Sequence, residues 1–141
     1  GDSRDALVAQ LDDEFPHASL VEDAARLQAW TTQVVSHVAG ELPGLELPLD
    51  IRATAFQWRV WSALRGIPRG ETRTYAEVAA SIGAPGSARA VARACAANPV
   101  ALAVPCHRVV PAAGGTGGYR WGTERKARLL DGEASTRRTR R

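Results

Sequence analysis

Cys106 and His107 stand side by side directly after a proline, in the run Val104-Pro105-Cys106-His107-Arg108-Val109. A thiol attacks as its thiolate, so a reactive cysteine needs a base or a cation close by. The adjacent imidazole is a candidate base, but chain neighbours need not touch. The other reading of a cysteine in an apolar run is a buried structural thiol, and these residues alone leave both open. Cys95 is the second cysteine, and the histidines are His17, His37 and His107. Their spacing matches no zinc site, so no metal and no cofactor is expected. Two cysteines make no disulfide framework, which points to a reduced, cytosolic setting.

Elements on both sides must hold this pair. The apolar run from Ala101 to Val104 reads as a buried strand or extended segment ending at Pro105. Upstream, Thr54 is expected to cap a helix over 54–65 with Phe56, Val60 and Leu64 on one side and Trp61 beside them. Gly66 to Gly70 reads as a loop. Thr74 and Glu77 form a capping box opening a helix over 75–82. Gly83 to Gly86 is a tight turn, and Ser87 is expected to cap a helix reaching about Ala97. Short helix, glycine turn and second helix make a helix-turn-helix pattern. That second helix carries Arg89 and Arg93 on one face, a smooth Ala90/Ala94 stripe beside them, and no acid. Small side chains let a helix press close to another surface while the arginines reach phosphates or bases.

Charge divides the chain. Residues 1–50 hold ten acidic and two basic side chains, a net of −8, and residues 51–141 hold sixteen basic and five acidic, a net of +11. The second part suits a polyanion and the first does not. No apolar run approaches the roughly 20 residues of a membrane helix, and no signal peptide is visible, so no membrane partner is expected. With no Met in 141 residues, Gly1 is expected to be a processed or trimmed start. In the acidic part, residues 3–12 read as a short helix with Leu7 and Leu11 on one face, ended by Phe15-Pro16. Ser19 and Glu22 suggest a capping box for a second helix running to Gly40 through Leu20, Ala24, Leu27, Val34, Val35 and Val38. Residues 43–51 read as an extended connector, with a boundary near residue 50.

Taken together, these segments resemble the O6-alkylguanine-DNA alkyltransferase family. Pro105-Cys106-His107-Arg108-Val109 resembles its active-site motif. Asn98-Pro99, Arg89-Ala90-Val91, Thr74-Tyr75, Gly118-Tyr119-Arg120-Trp121-Gly122 and Leu129-Leu130 through Glu133 fall into register with it over residues 45–133. The Tyr-Arg-Trp-Gly form, with Cys95-Ala96-Ala97-Asn98, is most similar to the C-terminal domain of bacterial Ada-type proteins. The β-hairpin that usually precedes the first helices is absent, and so are the family's zinc-bearing N-terminal cysteines.

The resemblance implies an α/β (α+β) fold. A truncated ribonuclease-H-like N-terminal part and linker would occupy residues 1–50. A mostly helical, winged helix-turn-helix-like alkyltransferase domain would follow over 51–135, then a basic tail over 136–141. It implies irreversible transfer of an alkyl group from O6-alkylguanine in DNA to Cys106. Glu133 would orient His107, His107 would take the Cys106 proton through a water, and together they would lower the thiol pKa. Asn98 would brace the turn between the recognition helix and the active-site strand. Tyr75, Arg89, Ala90 and Arg93 would flip the nucleotide, with Arg89 filling the hole in the stack. Cys95, Val109, Tyr119, Arg120 and Lys126 would form the substrate pocket, the carbonyls of Cys106 and Val109 accepting the guanine amino group. Tyr119 and residues 114–118 would be its lid, and Tyr75 and Lys126 would help neutralise the leaving guanine. Ala101 stands where some members carry Pro, a change that would widen the pocket toward bulkier adducts or O4-alkylthymine. The implied partner is double-stranded DNA bound in the minor groove by a cytoplasmic, bacterial monomer. A binding-only relative, a thiol hydrolase and a helix-turn-helix transcription factor are the competing readings. Cys106, the lack of an oxyanion-hole motif and the lack of Asn or Gln on the alanine-rich helix weigh against them in turn.

Overall fold

The computed structural model describes residues 3–139, and side-chain surroundings up to residue 135. Along the chain lie α1 (Arg4–Glu14), α2 (Ala24–Ala39), α3 (Ala55–Arg65), β1 (Arg73–Thr74), α4 (Tyr75–Ser81), α5 (Ala88–Ala96), a 3-10 turn (Cys106–Arg108), β2 (Val109–Val110) and α6 (Thr123–Thr139). The fold is helix-rich with one small sheet. The backbone of α6 continues past residue 135, where the basic tail was expected to begin. The side chains of Arg137 and Arg138, and all of Arg140 and Arg141, lie outside the described residues.

Local chemistry explains most of the helix starts. Thr54 accepts from the Gln57 amide while the Gln57 side chain accepts from the Thr54 amide, a reciprocal capping box. Thr74 and Glu77 do the same at α4. Two expectations fail. The second helix begins at Ala24, capped by Asp23, whose carboxylate accepts from the Arg26 amide at 2.9 Å. Glu22 instead pairs with Arg4, and Leu20 lies outside the helix. Aspartate caps as well as serine does, so the later signal wins. Ser87 occupies the cap position of α5 but makes no side-chain cap bond.

The core is built from residues 60–109. Val60, Trp61 and Leu64 of α3 meet Val78 and Ala79 of α4, Val91, Ala94 and Cys95 of α5, and Val104, Cys106 and Val109. Each large apolar side chain fully buried there contributes about 1.5–3 kcal/mol. Trp61 also serves a polar need. Its indole nitrogen donates to the Ala94 carbonyl at 2.9 Å, one of the last carbonyls of α5, which have no partner inside their own helix. Residues 3–50 contrast with this. Among their described residues there are two helices and no strand. α1 buries nothing and α2 buries only His37. Leu7, Leu11, Leu27, Val35 and Val38 are all exposed, so the stripes read from the sequence do not pack into this core.

The run before Pro105 is not a strand. Residues 99–104 form turns, and Leu102 has φ +72°, a left-handed conformation incompatible with extended pairing. The extended segment comes after Cys106: β2 pairs in parallel with β1, Arg73 opposite Val109 and Thr74 opposite Val110. This pairing brings the start of α4, and so Tyr75, alongside the segment that carries Cys106.

Two substitutions should separate the core from the periphery. Trp61→Phe leaves the Ala94 carbonyl without its donor and should destabilise the fold by about 1–3 kcal/mol. Leu11→Ala on exposed α1 should stay within roughly 0.5 kcal/mol of wild type. Urea denaturation of both variants measures the difference.

Candidate active site

Asn98 closes the turn that presents the thiol. Fully buried after α5, its side-chain oxygen accepts from the Val100 amide at 3.0 Å. Its nitrogen donates to the Val104 carbonyl at 2.9 Å and to Cys106 Sγ at 3.2 Å. One amide therefore holds both ends of segment 99–104 and aims a donor at sulfur. Pro105 then leads into the 3-10 turn, where Cys106, His107 and Arg108 are all buried.

His107 is held by Glu133 of α6. Nε2 lies 3.0 Å from Oε1. A carboxylate only accepts, so Nε2 carries the proton and Nδ1 is left as the basic nitrogen. Nδ1 is buried with no hydrogen-bond partner among the described residues. Glu133 is engaged at both oxygens: Arg108 donates through Nε to Oε2 at 3.0 Å and through Nη2 to Oε1 at 2.8 Å, and the Gly70 amide donates to Oε2 at 3.0 Å. The third Arg108 nitrogen donates to the Ile67 carbonyl. Burial pushes the Glu133 carboxyl up, but the bonds from His107, Arg108 and Gly70 outweigh it and hold the group far below the usual carboxylate range.

Cys106 behaves otherwise than expected. Burial raises its thiol above the ordinary value, and the Asn98 hydrogen bond and the positive charge of Lys126 only partly oppose this. In this structure the thiol is a protonated, insulated group rather than a standing thiolate. Cys95, which lines the same cavity, is pushed up by burial to about 12.

Cys106 opens onto a cavity of about 490 Å³, lined also by Tyr75, Ala92, Cys95, Ala96, Pro111, Gly117, Gly118, Tyr119 and Arg120. Of the residues expected to form a pocket, Cys95, Tyr119 and Arg120 line it, and Tyr75 joins them. Val109 and Lys126 do not: both are buried behind it. Lys126 Nζ donates to the Val109 carbonyl at 2.6 Å and lies 3.4 Å from the Gly118 carbonyl, so the Val109 oxygen assigned to guanine already has a donor. Burial lowers the Lys126 ammonium, with the two cysteines pulling the other way. Ala101 is not a wall of this cavity. It lines a separate groove, with Leu102 and Trp121, on the other side of Tyr119. Gly117 has φ +67°, and a Cβ there would stand 2.9 Å from the Pro111 ring, so only glycine fits this part of the rim.

On α5 the wall of the cavity is Ala92, Cys95 and Ala96 rather than the Ala90/Ala94 stripe. Ala94 faces the core, and Ala90 is half-buried. Arg89 and Arg93 are exposed on the neighbouring face, one helical step from the cavity wall. Arg69, Gly70 and Arg108 carry much of the Glu133 geometry, and sequence reasoning gave them no part. Arg108 lay inside the motif and could have been suspected as a partner for a buried acid. Gly70 acts through its backbone, which leaves no side-chain signal.

The fold and site define a helix-turn-helix domain with a buried cysteine, held by an asparagine and backed by a histidine–carboxylate pair, that opens onto a small cavity beside the second helix. Residues 55–135 match the family described as 6-O-methylguanine DNA methyltransferase, DNA binding domain. The chain belongs to that family. It is 52% identical over 134 residues to the regulatory protein Ada of Salmonella typhimurium, covering 95% of this chain and 38% of that protein. It is 53% identical over 103 residues to a methylated-DNA–protein-cysteine methyltransferase of Mycobacterium bovis, covering 73% of this chain and 62% of that one. Mycobacterium tuberculosis OGT, solved in complex with DNA, superposes with a TM-score of 0.72 at 52% identity, covering 75% of this chain and 65% of that one. The chain thus spans between 38% and 62% of the length of these two curated relatives. No described helix is long and apolar enough to cross a membrane.

A carboxyl held below its ordinary value contributes stability that is present above the unfolded value, about 4.3, and is lost as pH falls through the folded one. Glu133→Gln should therefore destabilise the fold at pH 7 by on the order of 3 kcal/mol, because it leaves buried Arg108 unpaired. The gap to wild type should narrow below about pH 4. Denaturation of both proteins at pH 7 and pH 3 tests this, and a gap that ignores pH would show that the carboxylate charge is not what stabilises the site.

Proposed function

We propose that this chain repairs DNA by direct reversal, with Cys106 taking the alkyl group, methyl above all, from O6-alkylguanine and keeping it. One observation carries the reading: the Cys106 thiol opens onto a cavity whose far wall is the small-residue face of α5, with Arg89 and Arg93 exposed on the adjoining face. The family and its DNA-repair relatives support it.

The chemistry follows from the site. His107 Nδ1 takes the thiol proton through a bridging water while Nε2 stays bonded to Glu133, so the imidazolium that forms is stabilised in place. Sulfur then attacks the O-alkyl carbon in line. The new S–C bond forms as the C–O6 bond breaks, and the electron pair leaves with guanine. Tyr75, whose hydroxyl borders the cavity, and Lys126 behind it help neutralise that charge. Asn98 keeps Sγ on line. Because burial holds the thiol protonated, removal of its proton belongs to the reaction rather than to the resting state. A thioether has no ready route back to thiolate, so each molecule acts once.

A base inside a duplex is out of reach and must be extruded. In this reading α5 enters the minor groove, Arg89 fills the vacated stack, Tyr75 crowds the neighbouring phosphate, and Ala90 and Arg93 complete the contact. Minor-groove readout is degenerate, which suits a lesion that lies anywhere in sequence. The protein works as a cytoplasmic monomer on double-stranded DNA. Residues 3–50 are read as the helical end and linker of a ribonuclease-H-like N-terminal domain, and residues 51–135 as the alkyltransferase domain.

Intact mass after mixing with O6-methylguanine DNA tests the reaction. Expected is a gain of about 14 Da, one CH₂, on the Cys106 peptide, limited to one equivalent, and its loss in Cys106→Ala with DNA binding kept. Continued turnover beyond one equivalent would overturn the single-use mechanism. For extrusion, Arg89→Ala should slow repair of duplex DNA tens-fold or more, a few kcal/mol of lost stacking and pairing, and barely touch reaction with free O6-benzylguanine. Equal losses on both substrates would remove Arg89 from the flipping step.

A further inference from the structure

Arg69 lies in the loop between α3 and β1, in a segment that reads as a plain connector. Its guanidinium donates to two consecutive carbonyls at the C-terminus of α2, His37 at 2.8 Å and Val38 at 3.1 Å. Those carbonyls carry the negative end of the helix dipole, where a cation is favoured, and that of His37 also accepts the Gly40 amide at 3.1 Å. The same Nη1 stands 3.6 Å from Oε1 of Glu133, and the Arg69 side chain is only 15% exposed. Oε1 is the oxygen that faces His107 Nε2 and also takes Arg108 Nη2. The next residue, Gly70, donates its amide to the other oxygen, Oε2. Residues 69 and 70 therefore reach both oxygens of the carboxylate that holds His107, while Arg69 is anchored on α2.

We propose that Arg69 is a positioning residue for the Cys106 reaction, joining the C-terminus of α2 to Glu133 and holding the Glu133 carboxylate in the rotamer that grips His107. The proposal rests on the alkyl-transfer reading for its natural reaction, but not for its geometry. It gives α2 a part in the site that its own burial does not suggest. Of its residues only His37 is buried, and the His37 ring is itself tied to the Leu42 carbonyl at 3.1 Å, which fixes the chain just past the carbonyls that Arg69 holds. Arg108 cannot take over this task, because its three nitrogens are committed to Glu133 and Ile67.

The test is a double-mutant cycle on the full chain, read as the rate of Cys106 modification by free O6-benzylguanine. Arg69→Met should slow the rate about tenfold, the range seen for outer partners of a reactive centre. In a Glu133→Gln background the same change should cost less than about twofold, because the group it acts through is gone. Arg69→Lys, which restores a cation, should recover most of the loss. Arg69→Gln, which keeps a donor for the helix carbonyls without the charge, should stay slow and serves if the Met variant does not fold. Equal slowing in both Glu133 backgrounds, no slowing at all, or Lys as slow as Met would each overturn the proposal. Rates of Cys106 alkylation by iodoacetamide should rank the variants in the same order. If the wild-type chain failed to react with O6-benzylguanine, the alkyl-transfer reading would fall, and the iodoacetamide series would still decide the role of Arg69.

Discussion

A carboxylate taken out of water must be compensated by the protein, and Glu133 is compensated from three directions. Arg108 grips it with two nitrogens, His107 bonds one oxygen and the Gly70 amide bonds the other. The donors come from two pieces of chain, the 3-10 turn after Pro105 for His107 and Arg108 and the loop after α3 for Gly70, and Arg69 of that loop also reaches the end of α2. Glu133 itself comes from α6. Four separated segments are thereby referred to one charged group. Losing any one donor leaves part of a buried charge unpaired, so the arrangement tolerates little variation. The imidazole orientation that the proposed reaction needs is a by-product of this packing.

The thiol shows the opposite electrostatic logic. Glu133 stays ionised although buried, because its surroundings donate to it. Cys106 is pushed above the ordinary thiol value, because burial outweighs the Asn98 bond, the Lys126 charge and a backbone hydrogen bond. A thiol kept neutral is less nucleophilic than its thiolate. Reaction then requires a substrate that fills the cavity and a base that removes the proton, and His107 Nδ1 is the unpartnered basic atom nearby in the chain. The cavity has room because α5 contributes only two alanines and a cysteine to its wall, and glycine at 117 lets the rim lie close to Pro111 and Tyr75.

The acidic first third of the chain is attached at few points. Its apolar side chains, among them Phe15, Leu27, Trp30 and Val35, are largely exposed. Its polar ties are specific, however. Arg69 holds the last carbonyls of α2, and Glu14 at the end of α1 pairs with Arg120 at 3.6 Å, on the rim of the cavity. A segment with little buried surface is thus linked to both the support and the rim of the site.

Much of this was legible in the residues themselves. Caps and turns act over three or four positions, so Thr54, Thr74 with Glu77, and the Gly83–Gly86 turn marked the helices of the second part to within a residue or two. The family resemblance put Asn98, Cys106, His107 and Glu133 in one site, and the structure brings them together. Local rules failed where two signals competed, as at Ser19 and Asp23. They also failed where apolar content imitated a strand, before Pro105, because Leu102 turns the chain and Asn98 closes it. What the sequence by itself determined is the helices around the site, since caps and turns depend on residue type and short spacing, while the candidate reacting groups came from the family resemblance. Only the tertiary structure decided that the thiol rests protonated, that Lys126 and Val109 bond each other behind the cavity, and that Arg69, Gly70 and Arg108 converge on Glu133. Those outcomes depend on burial and on contacts between residues 17 to 64 positions apart, and no short-range pattern encodes a dielectric or a distance across the fold.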